Sequence, residues 1–182
     1  MTKVAFSGEE QSLAFIRQWY EDIQAALNGY QRDILNALFQ GKSVNEPFLF
    51  MTKENVLDYF AKQKTELEHL VSLNMMASVE AAIRIDYLKR VYARKKESVS
   101  RRFRELHKEK GVRASLEDDI LKIWKQELPS CKTAIDNFQN ASKLRHWLAH
   151  GRYWTPKLGR NYNLNTIFEI AEHLLNELQI SQ

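Results

Sequence analysis

Apolar residues recur three and four positions apart through almost the whole chain, and this helical period constrains the fold more than any other feature. Leu13, Ile16, Trp19, Ile23, Leu27, Tyr30, Ile34 and Leu38 form one such run. Val56, Phe60, Leu67, Leu70 and Val71 form a second, and Met76, Val79, Ile83, Leu88 and Val91 a third. Six Gly and three Pro among 182 residues are too few for a strand-and-turn architecture. The expected class is all-α: an up-and-down helical bundle of four to five core helices with extra short helices. The length suits one domain able to bury a sizeable core. We expect residues 51–182 to form that core and residues 1–50 a helical extension.

Local signals divide the chain into helices. Ser7 with Glu10 reads as a capping box for the first one, and Asn28 with Gly29 as a place where it bends or splits. The stretch "GKSVNEPFLFMT" reads as a loop, since Pro47 disfavours helix at the residue before it, with Thr52 as the next N-cap. A helix running unbroken from there to Lys96 would be ~65 Å long at 1.5 Å per residue. A break or kink is therefore expected near "SLNMM", residues 72–76. "EKGVRAS" supplies a stop and a start, with Ser115 capping a short helix whose acidic residues lie in its first turn, where the helix dipole favours them. Pro129 ends that helix. Ser130 can cap the next, to about Ala149, and Thr166 with Glu169 reads as a capping box for the last. Trp19 and Trp124 are expected in the core, and His173 in a structural place beside the last apolar stripe.

No stretch approaches the ~18 to 20 apolar residues of a spanning helix, and the start "MTKVAFSGEE" lacks the apolar run of a signal peptide. The expectation is a cytoplasmic protein that does not engage a membrane. Cys131 is the only cysteine, so an internal disulfide and a multi-cysteine metal site are excluded. It is expected as a small buried or half-buried apolar residue. The net charge is +4, but between Arg84 and Arg113 twelve Lys and Arg face four Asp and Glu. That concentration reads either as a solvated helix face or as a surface for a polyanion.

The chemistry concentrates in "ASKLRHWLAHGRYW", residues 141–154. Ala134, Phe138, Ala141, Arg145 and Leu148 share one stripe of a helix, so an arginine stands where an apolar residue should pack. A buried guanidinium needs a carboxylate, a phosphate or water. Glu80 is one candidate carboxylate; it also stands four residues from Arg84, the spacing of an ordinary helix ion pair, as do Asp86 and Arg90. Arg145 and His150 would diverge by roughly 140° on a continuing helix. Gly151, suited to the left-handed conformation just past a helix end, lets His150 sit where the chain turns and swing toward the arginine. An imidazole can take the proton from a 2′-hydroxyl or give one to a leaving 5′-oxygen, and a guanidinium can neutralise the phosphorane between them. That chemistry needs no metal or other cofactor. One chain offers one such pair, so two chains facing each other across a two-fold axis are expected.

"RHWLAH", Arg145 to His150, resembles the R-x4-6-H signature of the HEPN superfamily, and "ASVEAAIRIDYLKRV" with "LRHWLAHGRYW" looks like its RiboL-PSP-HEPN branch. The resemblance covers about residues 55–178. It implies a four- to five-helix bundle, a homodimer that brings two motifs together, and metal-independent endoribonuclease activity in toxin or antiviral-defence systems. It implies Arg145 and His150 as the catalytic pair; an antitoxin or regulatory protein is a further candidate partner. Many active members have Asn directly after the arginine, where this chain has His146. A subgroup carries tyrosine two residues after the histidine, where this chain has Arg152 followed by Tyr153.

His146 and His150 also have the spacing of two metal ligands on a helix, although the zinc-protease pattern has Glu where this chain has Trp147. His146 reads better as a supporting donor or a surface residue. Arg152, Tyr153, Trp154, Lys157, Arg160 and Tyr162 interleave basic and aromatic side chains, a mixture suited to single-stranded RNA or to an irregular connection anchored by Trp154 and Pro156. Two other functions fit the same residues. One is a non-catalytic HEPN module that binds RNA, nucleotide or a partner protein; the other is a helical adaptor whose basic face contacts an acidic protein or DNA.

Overall fold

A computed structural model describes residues 3–181. Regular structure among them is wholly helical: α1 Leu13–Phe39, α2 Lys53–Tyr92, α3 Ser98–Lys110, α4 Lys122–Glu127, α5 Lys132–Ala149 and α6 Leu164–Glu177. Short 3-10 turns cover Gly111–Arg113 and Pro129–Cys131, and a π-helical turn, Leu116–Leu121, runs into α4. Among the described residues no helix is long and apolar enough to cross a membrane.

The chain divides into two compact units, one being Ala14–Val71 and the other the residues before Ala14 together with those from Ser72 onward. In the first, Ile34, Phe48, Val56 and Phe60 form a buried cluster, with Leu27, Leu35, Leu38 and Tyr59 packed around it. Phe48 and Phe60 stack at 5.8 Å, and Tyr30 meets both edge-on at 5.6 Å. Trp19 is not core: it is 42% exposed. The α1 turns beside it carry polar groups that reach α2 instead, with Tyr20 hydrogen-bonded to Glu68 and Gln31 accepting from Lys64 Nζ at 2.7 Å.

In the second unit, Met75, Met76, Val79, Ile83 and Tyr87 bury one stripe of α2. Helix α5 packs on α6 and α4, and α4 on α3. Phe103, Trp124, Ile135, Phe138, Ile167 and Leu174 supply the other core side chains. Cys131 is fully buried, its thiol donating to the Glu177 carbonyl. His173, by contrast, is exposed.

Several helix ends differ from the sequence expectation. The 40-residue α2 has no break at 72–76. That stretch holds neither Gly nor Pro, and the length argument fails because the boundary between the units falls inside the helix, at Val71–Ser72. Helix α1 likewise continues through Asn28 and Gly29 without splitting. Ser7 and Glu10 do not cap it, because Gly8 is left-handed at φ 73° and the helix begins only at Leu13. The segment before it is held otherwise: Ser78 donates to the Gln11 carbonyl and Asn74 Nδ2 to Gln11 Oε1. Ser130 lies within a 3-10 turn rather than at an N-cap. Asn163, not Thr166, caps α6, its side chain accepting from the Thr166 amide at 2.9 Å. Thr52 and Ser115 do cap as expected, accepting from the amides of Asn55 and Asp118.

Candidate functional site

Helix α5 sets the geometry of the motif. Ala141 and Phe138 on its stripe are fully buried, and Arg145 one turn later is the point where that stripe turns polar. Its Nη2 donates to Glu80 Oε2 at 3.3 Å, so the carboxylate that the arginine needs comes from α2. The Arg145 side chain is still 36% exposed, whereas its Nε is buried without a hydrogen-bond partner. Burial raises the Glu80 carboxyl above its ordinary range; Arg145 and Arg84 oppose that shift and Glu117 adds to it. Arg84, four residues on, donates to the Ala114 carbonyl at 3.1 Å. Of the two readings of Glu80, partnership with Arg145 is the one its hydrogen bond supports.

The end of α5 is a Schellman motif. Gly151 takes φ 79°, and the Arg152 amide reaches back to the Trp147 carbonyl at 3.2 Å, satisfying one of the carbonyls orphaned at the helix end. A Cβ on Gly151 would meet nothing within 4 Å, so the glycine is there for its backbone angle. His150 is the C-cap and is exposed. Its ring lies 4.2 Å from that of His146, one turn earlier. The histidine therefore has His146 as its ring neighbour, as the four-residue spacing on a helix allows. Within one chain the two motif residues engage different neighbours, Arg145 meeting Glu80 and His150 meeting His146.

After Gly151 the chain returns along α5. Trp147 Nε1 donates to the Trp154 carbonyl at 2.7 Å, and Trp154 brings its ring to 6.0 Å from His146. Tyr153 packs edge-on to Trp154 at 4.5 Å but is 85% exposed. Arg152 is exposed with φ 57°. Arg160 lies over the Tyr162 ring at 4.7 Å. The Trp147 anchor is invisible to periodicity, because it joins an indole to a backbone carbonyl across the turn. Among the described residues no three His, Cys, Asp or Glu side chains group as metal ligands would.

The basic stretch proves to be partly structural. Arg90 is buried, paired with Asp86 at 2.7 Å and with Glu97, and its guanidinium lies 4.9 Å from the Trp124 ring. Arg101 and Arg104 donate to the carbonyls of Lys96 and Lys95, and Lys110 pairs with Asp119 at 2.6 Å. Because α3 buries Val99, Phe103, Leu106 and His107, its Arg101, Arg102 and Lys108 turn outward; Arg94, Lys95 and Lys96 before it and Arg113 after it are exposed too.

Comparison of the chain with family models, curated proteins and solved structures finds no match.

Proposed function

We propose that this chain is a metal-independent endoribonuclease of the toxin or antiviral-defence type, active as a homodimer on single-stranded RNA. The reading rests most on one arrangement: the Arg145 side chain stays about a third exposed at the end of a buried stripe, and His150 is exposed one turn later at a glycine-terminated helix end. In the reaction, His150 Nε2 or Nδ1 takes the 2′-hydroxyl proton as that oxygen attacks phosphorus. The phosphorane's charge falls to Arg145, and the bond to the 5′-oxygen breaks as an imidazolium returns a proton to it. The products are a 2′,3′-cyclic phosphate and a 5′-hydroxyl. Since His150 and Arg145 of one chain face different neighbours, the cleft takes the histidine and arginine of two chains together. Exposed cations of the basic stretch draw in the RNA.

A second reading has its own support. Glu80 already occupies Arg145 and His146 already packs against His150, an arrangement equally suited to a non-catalytic module that binds RNA, nucleotide or a partner protein. Incubation of wild type and His150→Ala with end-labelled single-stranded RNA in excess EDTA decides between them. Cyclic-phosphate ends made by wild type alone are the expected result. Cleavage that needs added metal, or no cleavage by folded wild type, would overturn the ribonuclease reading.

A further inference from the structure

Beside the motif, an open groove of about 590 Å³ runs between one face of α5 and the returning chain. Its size falls within the ~300–1,000 Å³ of small-molecule sites. Gln139, Ser142, Lys143 and His146 form one wall, spaced three, one and three along the helix, and residues 154–158 form the other, with Glu117 at the rim. His146 belongs to this wall and its ring lies 4.2 Å from that of His150, so the groove ends one side chain from the motif histidine. Glu117 is close enough to Glu80 to raise its pKa, which ties the same groove to the carboxylate that holds Arg145.

We propose that this groove is a base subsite for the nucleotide beside the scissile phosphate, selecting an amino-bearing base, adenine or cytosine, over uracil; it rests on the ribonuclease reading for its place in the reaction. The half-buried Trp154 indole offers a flat surface for a base, and its position is fixed through its own carbonyl by Trp147. Lys143 and Lys157, both exposed, supply cations for the flanking phosphates. The polar groups on the walls are unevenly engaged. Gln139 Oε1 accepts from Lys125 Nζ at 2.6 Å, leaving its amide hydrogens to donate. Ser142 Oγ donates to the Phe138 carbonyl at 3.1 Å and so offers lone pairs, as the Glu117 carboxylate does. A donor beside two acceptors matches an exocyclic amino group next to a ring nitrogen acceptor; uracil has no amino group to give.

The test uses 5′-labelled 2′-O-methyl decamers of A, C and U, which lack the attacking hydroxyl and so separate binding from cleavage. Fluorescence anisotropy in EDTA is expected to give wild type a preference of about tenfold for A and C over U, from one well-made base contact. Glu117→Gln, an exposed change that exchanges an acceptor oxygen for a donor, should reduce that preference to within about twofold, and Gln139→Ala should weaken all three decamers or flatten the ranking. Equal binding of the three by wild type, or a preference that survives in both variants, overturns the subsite. The two readings fail separately: unmodified RNA cleaved without base preference leaves the ribonuclease and removes the subsite, whereas selective binding without cleavage leaves the subsite and removes the ribonuclease.

Discussion

At the residue scale, the balance at Glu80 decides what Arg145 can do. Burial outweighs the attraction of two guanidiniums, so folding favours the protonated carboxyl. The folded pKa lies above the unfolded one; the stabilising contribution is therefore complete below the ordinary value of 4.5 and is lost as pH rises through the folded pKa. Glu80→Gln, which mimics the protonated form, should stay within about 1 kcal/mol of wild type at neutral pH and gain on it as pH rises from 4.5, as urea unfolding at several pH values will measure. His107, paired with Tyr87, behaves in the opposite sense. The Tyr87 hydroxyl donates to the Gly111 carbonyl at 2.9 Å and lies 3.0 Å from His107 Nδ1, so Nδ1 must carry the proton and the phenol oxygen accepts it. Burial pushes Tyr87 up to about 12 and lowers His107. A His pKa depressed by folding gives stability that is present above its ordinary value of 6.5 and is lost as pH falls through the folded value. The melting temperature should drop on acidification below 6.5, and Tyr87→Phe, which leaves the buried His107 ring and the half-buried Gly111 carbonyl without this partner, should cost about 1–3 kcal/mol in denaturant unfolding.

At the element scale, helix ends carry the testable differences. Gly151→Ala meets no atom within 4 Å, so only the left-handed backbone resists it, and the loss should be about 1 kcal/mol by thermal unfolding. A larger loss would mean that the turn is packed more tightly than its geometry indicates. For α6, Asn163→Ala should cost about 1 kcal/mol and Glu169→Ala almost nothing, which separates the observed cap from the box read at Thr166. The error there has a simple origin. Both Asn163 and Thr166 are good N-cap types, and the choice between them depends on Leu164 and Ile167 both being buried, so the helix starts one turn earlier.

At the scale of the whole molecule, a composite dimeric site makes a prediction that no single-chain site makes. Arg145→Ala and His150→Ala should each be inactive alone. Mixed and refolded together, they should regain part of the wild-type cleavage, since each mixed dimer retains one arginine and one histidine. Recovery no greater than the sum of the separate variants would count against a shared cleft. The two units have separate cores, so Phe60→Ala, with a typical cost of about 3–5 kcal/mol, should accelerate amide exchange in 14–71 more than around the Phe138 cluster, as hydrogen-exchange mass spectrometry can resolve.

The helical class, the Thr52 and Ser115 caps, the left-handed Gly151 and the burial of Trp124 and Cys131 were all readable from sequence, because each depends on neighbours a turn or less away or on a side chain's own chemistry. Arg145 was legible as an anomaly for the same reason: one stripe position demanded a partner. Only the tertiary structure decided that Glu80, 65 residues earlier, is that partner, that His150 lies beside His146, and that Arg90, paired with Asp86 as its spacing suggested, is buried against Trp124 and Glu97. These outcomes depend on which helix faces lie side by side and how far each site is removed from water. Periodicity assigns a residue to a face, but only packing determines which charges meet there and whether a tryptophan such as Trp19 is covered at all.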